Sequence, residues 1–143
     1  MLKQKLPEFA GGFTFVSGCF DLLHLGHLKL LNYATSFGKP VIVGLNTLNS
    51  VKKLKGFEPI LSYTMRAELL ENLKAVSVVI PLRAEDAREL VRQLKPKIWV
   101  LGSDHVKEDF GEFKDIRICF LKRDNNSSTN IKKYLREKLC GNG

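Results

Sequence analysis

The sequence predicts an α/β fold: a five-stranded parallel sheet with helices on both faces. Three observations carry this. Short β-branched apolar runs alternate with segments of helical periodicity, the pattern of successive βαβ units. One run, Val41-Ile42-Val43-Gly44-Leu45, is apolar or glycine throughout, as a strand covered on both faces requires. The length of 143 residues suits a single domain, 1–143, and is enough to enclose a core, expected over 13–139.

The elements follow in order. Phe13-Thr14-Phe15-Val16 reads as the first strand, ending in Ser17-Gly18. A helix is expected over 25–37, where Leu28, Leu31 and Ala34 recur at three-residue steps and Gly38 stops it. The second strand is 41–45. Residues 46–61 are polar and basic and read as a long loop. Ser62 is placed to cap a helix through residue 74, with Met65, Leu69, Leu70 and Leu73 inward. A third strand is expected at 76–80, then a helix over 85–95 stopped by Pro96. Strands at 98–102 and 116–120 and a closing helix over 129–139 complete the chain. Trp99 lies mid-strand and is expected in the core. Lys132, Lys133, Arg136 and Lys138 on the last helix are expected to form a solvated face.

Composition narrows the class of partner. With 44% hydrophobic and 27% charged residues the chain reads as a soluble globular protein. No apolar run approaches the roughly 18 residues of a membrane helix, and no long apolar stretch follows the first charges. A cytoplasmic protein with no membrane partner is therefore expected. Cys19, Cys119 and Cys140 are odd in number and lack metal-ligand spacing, so neither a disulfide framework nor a protein-held metal is expected. Net charge is +8, which favours anionic partners. Nucleic acid is disfavoured, because exposed aromatics do not interleave with the basic residues.

The loop after the first strand carries the chemistry: Ser17-Gly18-Cys19-Phe20-Asp21-Leu22-Leu23-His24-Leu25-Gly26-His27. In a parallel sheet, ligands collect at the carboxyl ends of the strands. A helix N-terminus offers unpaired N–H groups to phosphate. Gly26 allows close backbone approach, and two imidazoles add donors that can follow charge developing on a phosphoryl group.

Gly18-Cys19-Phe20-Asp21 followed by His24-Leu25-Gly26-His27 resembles the cytidylyltransferase-like branch of the HxGH nucleotidyltransferases. The resemblance implies a Rossmann-like fold, and transfer of a nucleoside monophosphate from ATP or CTP to a small phosphorylated acceptor with release of pyrophosphate. Further stretches match in order: Lys52-Lys53-Leu54-Lys55-Gly56, Arg66 four residues after Ser62, Gly102-Ser103-Asp104, and Ser127-Ser128-Thr129 before the last helix.

By that resemblance, His24, His27, Lys55 and Arg66 are the catalytic candidates. His24 and His27 would hold the triphosphate, Lys55 would bridge the acceptor phosphate and the α-phosphate, and Arg66 with the serine-threonine turn would hold pyrophosphate. Nucleotide binding is expected at Gly18, Cys19, Phe20, Gly26, Gly102, Asp104, Ser127, Ser128 and Thr129. Substrate binding is expected at Asp21, Lys52 and Lys53. Mg2+ would arrive with the nucleotide, and relatives of this kind are commonly homodimers.

The run from Gly44 to Ile60 resembles the heptose-phosphate adenylyltransferase pattern V-N-S-D-x-S-x-K-R-L-K-G-x-x-R-P. The short chain and Leu22-Leu23-His24 suit glycerol-3-phosphate cytidylyltransferase equally. Leu48 replaces an aspartate common to both. Lys122-Arg123-Asp124-Asn125-Asn126-Ser127-Ser128-Thr129 stands where the cytidylyltransferases carry R-T-E-G-I-S-T-T. Donor and acceptor therefore stay open at the level of sequence, and a nucleotide-binding module without turnover is the reading from another class.

Overall fold

The computed structural model describes residues 8–83, 86–123 and 128–140. Five parallel strands, β1 (Thr14–Gly18), β2 (Val41–Asn46), β3 (Val78–Leu82), β4 (Ile98–Gly102) and β5 (Arg117–Leu121), lie in the order β3-β2-β1-β4-β5. The helices are α1 (Leu25–Thr35), α2 (Leu48–Lys55), α3 (Tyr63–Glu71), α4 (Arg88–Leu94) and α5 (Ser128–Cys140). This is the Rossmann-like architecture. The chain builds outward from β1 through β2 to β3, then crosses to β4 and β5.

Strand alternation sorts the core onto two faces. Val16, Val41, Val43, Leu45 and Val100 pack with Leu31 and Ala34 of α1 and Ala67 and Leu70 of α3. Phe15, Ile42, Ile80 and Trp99 pack with Leu90 and Val91 of α4 and with Phe113. Trp99 is in the core, stacked edge-on against Phe110 and Phe113. Gly44 is required by this packing, since a Cβ there would lie 2.7 Å from the Phe15 ring.

The structure corrects several expectations. Residues 46–61 are not all loop, for α2 lies within them, capped by the Thr47 side chain on the Ser50 N–H and ended by Gly56 at φ 79°. The helix escapes periodicity analysis because it buries only Ser50 and Val51. Met65 and Leu69 of α3 point outward, at 57% and 45% exposure. The inward face is taken by Arg66, Ala67 and Leu70 instead. The first residues expected of the helix before Pro96 include position 85, outside the described residues; α4 itself begins at Arg88. Strands β3 and β5 start two residues and one residue later than the apolar runs suggest. Among the described residues no helix is long and apolar enough to cross a membrane.

Candidate active site

The strand order reverses between β1 and β4, and their carboxyl ends, Gly18 and Gly102, border one cavity of ≈ 220 Å³. Such a switch point is where an open α/β sheet leaves a crevice for a ligand. The loop leaving β1 turns sharply, with Phe20 at φ 50° and Leu22 at φ 49° flanking Asp21. Left-handed backbone at non-glycine residues is held only where surrounding contacts over-determine it.

Here the contacts are on Asp21. Its side chain is 3% exposed and accepts from the Ile60 N–H at 2.7 Å, the Leu61 N–H at 3.0 Å and Lys132 Nζ at 2.7 Å. Burial raises the carboxyl's pKa, but the Lys132 bond and the two amides outweigh it and hold it below the usual value. Asp21 borders the cavity with its carboxylate engaged by these three donors.

His24 is the N-cap of α1, and its Nδ1 accepts from the Gly26 N–H at 3.1 Å. A neutral His24 therefore carries its proton on Nε2. Its ring stacks on His27 at 3.8 Å. Phe20 lies 5.1 Å from the other imidazole. His27 Nδ1 is enclosed without a hydrogen-bond partner. Burial pushes the His27 pKa down to about 3, reinforced by His24, Lys55 and Arg123 and opposed by Asp21. Both rings line the cavity, as do Cys19, Gly26 and Lys55.

Arg66 is placed differently from expectation. It is 0% exposed and does not border the cavity. Its guanidinium donates to three backbone carbonyls: Leu61 at 3.0 Å, Cys19 at 2.8 Å and Asn46 at 2.7 Å. It thus joins the β1 loop, the end of β2 and the start of α3 from beneath. These bonds use Nε and Nη1, while Nη2 is buried with no hydrogen-bond partner. Lys52 and Lys53 are exposed and lie off the cavity, Lys52 facing Glu58 at 3.7 Å. Asp104 also stands back from it and pairs with Arg123 at 3.1 Å. Ser127 and the side chains of Ser128 and Thr129 lie outside the described residues.

The cavity also gathers residues beyond the catalytic and binding candidates. Lys122 and Arg123 follow β5 and reach it because β5 ends beside β4. The rule that ligands gather at strand ends points to this loop. Lys29, Phe57 and Pro59 line it too. Lys132 corrects the expectation of a solvated helix face: it lines the cavity, 18% exposed, bonded to Asp21. Among the described residues no group of His, Cys, Asp and Glu could hold a metal ion.

Comparison with known proteins agrees with this architecture. A family model described as cytidylyltransferase-like matches residues 15–134. The protein named "Bifunctional protein HldE" from Aliarcobacter butzleri is 37% identical across 99% of this chain and 30% of its own length. Its namesake from Sulfurimonas denitrificans is 46% identical across 73% of this chain and 22% of its own. The chain thus spans less than a third of these curated relatives. A solved lipopolysaccharide core biosynthesis protein from Thermoplasma volcanium superimposes with a TM-score of 0.63 at 28% identity, covering 80% of this chain and 97% of that one. The pantoate-beta-alanine ligase of Francisella tularensis shares the fold at 17% identity and a TM-score of 0.60, over 96% of this chain and 74% of its own. With its HxGH loop at the switch point and a family match running from β1 into α5, the chain belongs to the cytidylyltransferase-like nucleotidyltransferases.

Proposed function

We propose that this cavity transfers a nucleoside monophosphate from a nucleoside triphosphate to a sugar phosphate, with ATP as donor and a heptose 1-phosphate type of acceptor. The carrying observation is the stacked His24–His27 pair at the N-terminus of α1, inside a cavity rimmed by Lys55, Lys122 and Arg123. Helix N–H groups, imidazole N–H donors and mobile cations are the groups a triphosphate needs. The resemblance of the lysine run to heptose-phosphate adenylyltransferases and the HldE relatives both favour this donor and acceptor.

An acceptor phosphate oxygen attacks the α-phosphorus in line. The new P–O bond forms as the bond to the β-phosphate bridging oxygen breaks, and pyrophosphate leaves with that electron pair. The nucleophile is already ionised near neutral pH, so positioning and charge stabilisation carry the catalysis. His24 and His27 donate to phosphate oxygens as charge builds on them. Lys55 spans the acceptor phosphate and the α-phosphate. A divalent cation such as Mg2+ enters as part of the nucleotide substrate, held by its phosphates.

The test is pyrophosphate release with ATP and CTP crossed against heptose 1-phosphate, glycerol 3-phosphate, phosphoethanolamine and FMN. ATP with heptose 1-phosphate is expected to turn over fastest, and His27→Ala to lose at least about a hundredfold in kcat. Full activity in His27→Ala would sink the role given to the histidine pair. Preference for CTP and glycerol 3-phosphate would replace the donor and acceptor named here. Nucleotide binding without turnover on any acceptor would leave a binding module.

A further inference from the structure

Asp21 is the one carboxylate among the described residues that line the cavity. Left to itself it would repel a polyphosphate. Its oxygens are instead occupied by two amides of the segment between α2 and α3 and by Lys132 of α5. The Asp21–Lys132 bond closes a separation of 111 residues. The Lys132 ammonium also lies 5.5 Å from the centre of the Phe57 ring. Phe57 and Pro59 are wall residues of the cavity, two and four residues after Lys55. Residues 133–139 of α5 are all exposed, whereas Ile131 and Lys132 are half-buried. The helix therefore meets the cavity through its first turns, and Lys132 is its charged point of attachment.

We propose that Lys132 is a positioning residue for the acceptor side of the site. By clasping Asp21 and covering Phe57 it holds the 57–61 segment against the cavity, and so sets acceptor affinity more than transfer rate. The assignment to the acceptor rests on the transferase reading above. The segment it holds continues directly from Lys55, the residue given to the acceptor phosphate. Lys122 and Arg123 enter the cavity from the end of β5, at the edge of the sheet.

The experiment compares the parent protein with Lys132→Met, Lys132→Arg, Asp21→Asn and the Asp21→Asn/Lys132→Met double variant. Amide hydrogen exchange at Ile60 and Leu61 reads the clasp without any turnover. Lys132→Met is expected to speed both amides about tenfold, because the acceptor that protects them is released to move. In pyrophosphate release it is expected to raise acceptor KM about tenfold, with kcat within about threefold and the KM for ATP little changed. Lys132→Arg should restore both readouts to within about threefold, a rescue that lost packing alone does not give. The double variant should be no worse than the worse single one, since the two residues act as a unit. Unchanged exchange at both amides in Lys132→Met would overturn the proposal. So would a fall in kcat at constant acceptor KM, or full additivity in the double variant. If the parent released no pyrophosphate with any acceptor, the transferase reading would fall, while amide exchange and calorimetric binding of heptose 1-phosphate would still decide for or against the clasp.

Discussion

A half-buried imidazole that resists protonation makes stability fall with acid, and His27 provides a measurable case. Unfolded, it titrates at its ordinary 6.5; folded, burial and its cationic neighbours push the value down to about 3. Above 6.5 both states hold it neutral and it has no pH-linked effect. As pH falls below 6.5 the unfolded chain takes up a proton that the folded chain does not, so stability is lost. The loss runs at about 1.4 kcal/mol per pH unit until pH nears the folded value. Between pH 7.5 and pH 5.0 it amounts to about 2 kcal/mol, since only the interval below 6.5 counts. Asp21 adds nothing in this window, because its carboxyl is held below its usual value of 3.8 and its share is lost only in stronger acid. Urea unfolding at the two pH values, in parent protein and His27→Gln, isolates the effect, as other groups titrate alike in both. The parent should lose about 2 kcal/mol more than the variant, at unchanged m-value. Equal losses would refute the reasoning and put a normally titrating His27 in the cavity.

Other outcomes follow from the same contacts. Arg66→Met strands the carbonyls of Leu61, Cys19 and Asn46 and should cost about 3 kcal/mol in urea unfolding; lost activity at full stability would return Arg66 to the substrate. Gly44→Ala drives a Cβ to 2.7 Å from Phe15 and 3.5 Å from Leu90 and should cost about 1–3 kcal/mol by overpacking, read as a lowered Tm. Gly102→Ala would bring a Cβ to 2.6 Å from Asp104 Oδ1 and 2.8 Å from Arg123 Nε, displacing that ion pair at the cavity rim. It should weaken nucleotide binding about tenfold by calorimetry, with little change in Tm.

Legibility in the sequence tracked how local the determining physics is. The strands could be read because each is a short apolar run, and their parallel sense because strands alternate with helices in βαβ units. The His24–Gly26–His27 turn was legible for the same reason: cap, glycine and second imidazole lie within four residues on one helix end. Helix α2 carried both its boundary signals, Thr47 at the start and Gly56 at the end, yet its mostly exposed surface erased the periodic signal between them. Arg66 matched its motif position in sequence, but its environment is set by carbonyls from three separate segments. Lys132 is one lysine of several on an amphipathic helix. Nothing local distinguishes it from Lys133; only the folded chain brings Asp21 to 2.7 Å from it.

The net charge of +8 gains a different meaning from this geometry. Positive charge sits at the exposed rim of the cavity, on Lys55, Lys122 and Arg123, where water still solvates it. Beneath the rim, His27 is held neutral and Asp21 is paired. Burying further unpaired cations would cost several kcal/mol each before any ligand arrived. Neutral N–H dipoles at the start of α1 avoid that cost, yet still point at an incoming phosphate. Rim cations then raise the encounter rate and affinity of a polyanion, with a strong dependence on salt. On the proposed transferase reading, the enclosed dipoles act at the reacting phosphorus, where screening is weak. Removing a rim lysine should therefore steepen the loss of nucleotide binding at low ionic strength and matter less at high. Removing His27 should reduce turnover at every salt concentration, and a salt-dependent His27→Ala defect would contradict this division of labour.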